Sequence, residues 1–162
     1  MYQKNDFVMY GSVGVCSVDG TCVRDDGNAY YVLQPVFTKN SIIYAPVNNC
    51  KVSIRNIISR DEADEIIDMM PEVEPFTISN RREKEMEYKK ALKSGKHNEW
   101  LRLVKTLYNR KSENVNYRQS FSETDRMLLC SAERLLNGEL AVALQIPFEK
   151  VSDYIMSRLE TA

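Results

Sequence analysis

Histidine is nearly absent from this 162-residue chain: His97 stands alone, in the polar turn Ser94-Gly-Lys-His-Asn98. A single imidazole gives no support for a Cys/His metal cluster or a His-based triad. The four cysteines, Cys16, Cys22, Cys50 and Cys130, are scattered with no C-x-x-C pair. In a cytosolic chain that spacing reads as small hydrophobes rather than disulfides or a zinc site. Six glycines and five prolines are too few for collagen-like or low-complexity architectures. No apolar run approaches the ~18–20 residues needed to span a bilayer. The opening MYQKNDFVMY lacks the apolar core of a signal peptide. The expectation is a soluble cytoplasmic protein with no membrane contact. Enzyme fingerprints are missing too: there is no P-loop, G-x-S-x-G, H-E-x-x-H or G-x-G-x-x-G. The carboxylate pair Asp61/Glu65 sits at i, i+4 on a helix that reads as a solvated surface. No catalytic residue, cofactor or metal is expected.

What is present suits one medium domain or two small ones, with 43% apolar and 28% charged residues. The net charge of −1 hides a strong asymmetry. Residues 60–80 carry seven acidic groups and only Arg60 as a base, whereas residues 81–120 carry twelve Lys/Arg against five Glu. Such a basic block is compatible with polyanion contact and equally with a solvated lysine-rich helix.

Residues 1–58 read as strands: Phe7–Tyr10 stopped by Gly11, Gly14–Val18 stopped by Asp19-Gly20, Tyr30–Gln34 ended by Pro35, Ser41–Ala45 ended by Pro46, and Val52–Ile54. Asp25-Asp-Gly-Asn28 is a hairpin turn, since Gly and Asn accept positive φ. Short strands at ~8–12-residue spacing predict a small antiparallel barrel. The period then becomes 3.6. Ser59-Arg-Asp-Glu62 is a capping box opening a helix with Ala63, Ile66, Ile67 and Met70 on one face, ended by Pro71. Residues 71–78 read as a linker. Asn80 starts a second helix, running to Ser94-Gly95. A third carries the stripe Trp100, Leu103, Val104, Leu107 and Tyr108, leaving Arg102, Lys105 and Arg110 outside it. Ser122–Asp125 caps a fourth, which Asn137-Gly138 interrupts or ends, and Pro147 starts the last. The fold class is α+β: a small antiparallel β-barrel over residues 1–58, then an all-α bundle over 59–162. The bundle divides into an acidic helix and linker (59–79), basic helices (80–111) and C-terminal helices (122–160).

In their order and spacing these pieces resemble the CarD (CdnL-type) bacterial transcription regulators. Their N-terminal module is shared with the polymerase-binding domain of transcription-repair coupling factors. The resemblance rests on Asp6-x-Val8-x-Tyr10, Gly14-Val15, Tyr31-Val32-Leu33, Ala45-Pro46-Val47 and Ile54-Arg55-x-Ile57-Ile58-Ser59. It continues through Ser94-Gly95, Leu107-Tyr108-x-Arg110, Phe121-Ser122-x-x-Asp125-Arg126-x-Leu128 and Gly138-Glu139-Leu140-Ala141. It implies that the barrel is Tudor/SH3-like and docks on the β subunit of bacterial RNA polymerase, and that the helical part contacts promoter DNA at the upstream edge of the melted bubble. Such a bridge shifts the closed–open equilibrium by differential affinity, without catalysis.

On this resemblance the docking strand is Ser41–Pro46, by edge pairing, with Ile43 and Tyr44 as contact candidates and Arg24 beside the hairpin as a third. Tyr44 stands where family members carry a basic side chain. Alternatively, Ile42, Ile43 and Tyr44 simply alternate between core and solvent. The family also places a Trp wedge immediately after an Asn cap; that position here is Arg81, while Trp100 reads as core. The implied DNA contacts are Arg81, Arg82, Lys84, Lys89, Lys90 and Arg126, directed to phosphate and the minor groove rather than base edges, Arg126 being equally readable as an ordinary surface arginine. A monomer is expected. A protein-only adaptor, its basic helix merely solvated, is the competing reading.

Overall fold

Alternating apolar residues in the first third of the chain form five antiparallel strands: β1 (Phe7–Tyr10), β2 (Gly14–Val23), β3 (Ala29–Pro35), β4 (Ile43–Pro46) and β5 (Ile54–Asn56). The computed structural model describes residues 2–48, 51–113 and 121–160. Strand order is β4-β3-β2-β1-β5, so β4 and β5 form opposite edges. β2 does not stop at Asp19-Gly20 as expected. Its ladder with β3 shifts between Val18 and Gly20, and Gly20 has φ 138°, so the glycine is absorbed as a bulge. The last strand begins at Ile54 rather than Val52, and the fourth at Ile43 rather than Ser41.

Period-2 geometry divides this small domain between two cores. Val8, Cys16, Val18, Tyr31, Leu33 and Ala45 are buried together on one face. Met9 and Val15, opposite each other in the β1–β2 ladder, point the other way into a cluster with Leu135, Leu136 and Leu140. The β sheet and the helices thus share a core.

The helices are α1 (Arg60–Met69), α2 (Arg81–Lys93), α3 (His97–Glu113), α4 (Glu123–Leu144) and α5 (Val151–Glu160), with 3-10 turns at Met70–Glu72 and Phe148–Lys150. Both capping boxes form: Glu62 N donates to Ser59 Oγ at 3.2 Å and Ser59 N to Glu62 Oε2 at 2.9 Å, and Asp125 reciprocates with Ser122. A capping side chain of this kind contributes about 1 kcal/mol.

Asn137-Gly138 does not break α4, which runs unbroken for 22 residues. A Cβ on Gly138 would lie 3.1 Å from the Phe37 ring, so the glycine admits an aromatic from the β domain. The helix accepts the ~1 kcal/mol propensity loss in exchange for that packing. Pro71 lies inside the 3-10 turn that continues α1, and Pro147 precedes a 3-10 turn before α5 begins at Val151. Tyr108, expected in the apolar stripe of α3, is exposed and donates its O–H to Glu133, which pushes the phenol pKa up to about 12.

α1 is not a purely solvated surface. Arg158 of α5 pairs with Asp64 at 3.5 Å and Asp68 at 2.8 Å, and Tyr154 donates to Asp64 at 2.7 Å. Of the three described cysteines only Cys16 is buried; Cys22 is half-buried and Cys130 exposed, so among these three the small-hydrophobe reading fits Cys16. Cys50 lies outside the described residues. No described helix is long and apolar enough to cross a membrane.

Candidate functional site

Three features stand out: an edge strand, a two-faced basic helix, and the joint between sheet and helices.

β4 pairs only with β3, through Leu33↔Ile43, Val32↔Tyr44, Tyr31↔Ala45 and Tyr30↔Pro46. Its other side carries no strand among the described residues, leaving backbone donors and acceptors for an added strand. Alternation sends Ile43 and Ala45 toward the β core and Tyr44 outward, 43% exposed. Ile42 is 60% exposed but precedes the strand. The Arg24 guanidinium lies 4.2 Å from the Tyr44 ring centroid and 5.9 Å from that of Tyr30. Two of the three expected docking residues, Arg24 and Tyr44, are therefore one unit, while Ile43 is half-buried beneath them. The sequence does not mark Tyr30 as a contact residue, although its place beside the hairpin turn is the available signal. Its O–H donates to Asp26 at 2.5 Å, holding that carboxyl below the usual range.

On α2, Asn80 accepts from the backbone N–H of Arg82 at 2.9 Å and of Glu83 at 3.5 Å, so the chain turns helical at the start of the basic block. At ~100° per residue, the basic side chains divide into two sets. Arg82, Lys89 and Lys93 share an outward stripe, flanked by Lys90 and by Met86, which is 71% exposed. Arg81 and Lys84 lie on the other side with the buried Tyr88. They line a cavity of about 570 Å³ together with Arg110, Ser122 and Asp125. Arg110 pairs with Asp125 at 3.2 Å. The sequence placed Arg110 outside the apolar stripe of α3 but not at this cavity, because the approach of α3 to the start of α4 is a tertiary event. Arg126 is exposed on the first turn of α4, 3.6 Å from Glu123, and does not line the cavity. Trp100 is fully buried and its Nε1 donates to Leu92 O at 3.1 Å, as expected of a core residue.

Not every base of this region is available to a polyanion. Arg102 donates to Glu74 O at 3.3 Å and lies over Phe76 at 4.1 Å, and Lys105 donates to Pro71 O at 2.9 Å. Together they strap the 71–76 segment onto α3.

The joint centres on Arg55 of β5. Its Nη1 and Nη2 donate to Glu139 Oε1 and Oε2 at 2.5 and 2.8 Å, and its Nε donates to Gly95 O at 2.9 Å. Glu139, in the middle of α4, is 0% exposed, and Oε1 also accepts from Ile58 N at 3.1 Å. The guanidinium lies 5.8 Å from the Trp100 ring. Neither Arg55 nor Glu139 was marked as functional from sequence, where an Arg and a Glu 84 positions apart carry no signal of pairing. Among the described residues no group of His, Cys, Asp and Glu is arranged to hold a metal.

Two family models match this chain. The CarD-like/TRCF RID domain covers residues 2–58, and the CarD C-terminal domain covers residues 58–156. A search of curated proteins finds no match. The two models follow one another along nearly the whole described chain. The protein belongs to the CarD family of RNA polymerase-interacting transcription regulators.

Proposed function

We propose that this protein docks on the β subunit of bacterial RNA polymerase through the outer edge of β4 and holds promoter DNA with α2. In this reading residues 1–58 are the polymerase-binding unit and residues 59–162 the DNA-contacting one. The observation that carries it is the open edge of β4 with Arg24 stacked on Tyr44, a strand-addition surface with an aromatic–cation anchor. Ile43 supports the edge from beneath.

DNA contact is assigned to Arg82, Lys89 and Lys90 on the outward side of α2, to Arg81 and Lys84 at the cavity, and to Arg126 at the start of α4. Three or four simultaneous phosphate contacts give a log–log salt slope of roughly −3. Free DNA is then held weakly, and tethering by polymerase raises the effective concentration. Phosphate and groove shape are read, not base sequence. The protein works as a cytoplasmic monomer that reaches the nucleoid with polymerase. By favouring one promoter state it alters open-complex lifetime without any catalytic step.

Arg81 occupies the first turn of α2, where the family has an apolar wedge. A guanidinium fits a narrow minor groove but does not unstack bases as an aromatic does. The burial of Trp100 is what favours the second reading, an adaptor binding protein only. Promoter footprinting with polymerase, wild type against Arg81→Ala, separates the two. The proposal expects an upstream-edge footprint and a shortened bubble lifetime in the variant. Association with polymerase but no footprint and no salt-sensitive DNA binding would select the adaptor.

A further inference from the structure

The apolar contact between sheet and helices buries Met9 and Val15 among Leu135, Leu136 and Leu140. Such contact is strong but non-directional, and apart from the Arg55–Glu139 fork it is supplemented by the Phe37 ring against Gly138 and by a long bond from Arg134 Nη2 to Ser12 O at 3.3 Å. A guanidinium–carboxylate fork is directional, because both N–H···O bonds must stay parallel. The Arg55–Glu139 fork lies at this boundary and is the ion pair that crosses it among the described residues.

We infer that Arg55 and Glu139 form an orientation lock, setting the angle between the β4 docking edge and the basic face of α2. Several observations converge on it. Arg55 belongs to β5, the edge opposite β4, and is tied by register to Met9 of β1. The sheet therefore carries any rotation at Arg55 across to the docking edge. On the helical side the same guanidinium holds Gly95, in the turn that ends α2, and Glu139, in the middle of α4. One side chain thus fixes the strand, the end of the basic helix and the longest helix. Both carboxylate oxygens of Glu139 are used, and Ile58 N adds a bond from the segment joining the two halves. A buried ion pair of this kind adds little stability over apolar residues of the same volume. Its distinctive contribution is a single geometry, as with buried polar groups that fix register in coiled coils. Arg55 and Glu139 are positioning residues: neither needs to touch polymerase or DNA.

The consequence for regulation rests on the polymerase–DNA bridge proposed above, whereas the lock itself does not. The test uses the full chain with R55M/E139L, which replaces the pair by apolar groups of similar volume. Residual dipolar couplings of the wild type are expected to fit one alignment tensor for β1–β3 and α3–α4. In the double variant the two halves should need separate tensors while each keeps its internal couplings. One shared tensor, unchanged from wild type, overturns the lock. R55K is measured alongside, because it keeps the charge but loses the fork and guards against a double variant that does not fold. It should show the same divergence to a smaller degree, and wild-type couplings in R55K again overturn the lock.

A second arm measures polymerase binding and open-complex lifetime. Polymerase affinity and DNA affinity should each stay near wild type in R55M/E139L, while the factor by which the protein changes open-complex lifetime falls about fivefold or more. An unchanged factor overturns the regulatory part. A wild type that fails to bind polymerase would sink the bridge reading and leave the couplings to decide the lock by themselves.

Discussion

The Arg24 guanidinium sits 4.2 Å from the centre of the Tyr44 ring, joining the end of β2 to the outer edge of β4. Each immobilises the other: the ring offers a flat, electron-rich face, and the arginine covers part of an aromatic that would otherwise be wet. Tyr44→Ala should therefore weaken polymerase binding about five- to thirtyfold, in the range of a buried aromatic anchor. Tyr44→Phe keeps the ring and should stay within about twofold, since the stack does not use the hydroxyl. Titration of labelled protein with core polymerase measures both. A Phe variant as weak as the Ala variant would mean that the hydroxyl, not the stack, makes the contact.

The outward side of α2 and Arg126 at the start of α4 predict different salt behaviour. Changing Arg82, Lys89 and Lys90 to Gln removes three exposed charges from the outward side of the helix without touching Tyr88 or Ala91, its buried residues. The magnitude of the log–log salt slope for DNA binding should fall by about 2 to 3, with no loss of thermal stability. Arg126→Gln removes one exposed charge already near Glu123, so its slope should fall by about 1 or less. Fluorescence anisotropy with a short duplex at several salt concentrations reads both. A slope unmoved by the triple change would take the outward side of α2 out of the interface.

Much of this architecture is legible in local signals. Ser59 with Glu62, Asn80, and Ser122 with Asp125 announce helix starts because a cap is decided within four residues. The Trp100–Leu107 stripe announces its buried face by period. The failures share one cause: residues whose meaning is set from another element. Gly138 reads as a stop until Phe37 is seen against it, and Gly20 reads as a turn until β3 supplies the partner that makes it a bulge. Arg110 reads as a base outside the apolar stripe, and Arg55 shows no partner, until Asp125 and Glu139 arrive from α4. For the candidate site, sequence located the strand and the helix but could not divide α2 into two basic faces. That division depends on which side of the helix α3 and α4 cover.

Gly95 has φ +72° just past the Ser94 cap of α2, the left-handed position where glycine ends helices without a Cβ penalty. An added Cβ would also stand 3.3 Å from Ser53 Oγ, on the β side of the joint. Gly95→Ala should lower unfolding free energy by about 1 to 2 kcal/mol, and Gly95→Asn by less, because Asn tolerates this conformation better. Urea denaturation at constant m-value measures it. Equal losses for Ala and Asn would show that contact with Ser53, rather than backbone strain, dominates.

His97 gives the fold a pH dependence near neutrality. It begins α3 at the joint, its Nδ1 is buried with no hydrogen-bond partner, and desolvation holds its pKa below the ordinary value. Arg55 adds to this effect, and Glu139 and Glu62 oppose it. Neutral imidazole is thus the form the fold accommodates, and the unfolded chain takes up a proton first, at about pH 6.5. Stability from this group is fully present above that pH. It declines as pH falls from about 6.5 toward the lower folded value, below which both states are protonated and the loss is complete. His97→Gln removes the titration while keeping a polar side chain of similar reach. The wild-type unfolding midpoint should therefore drop more steeply between about pH 7 and 5 than that of the variant, since carboxylates titrate in both and cancel in the difference. Parallel curves across that interval would show that the imidazole is solvated enough to protonate freely in the folded protein.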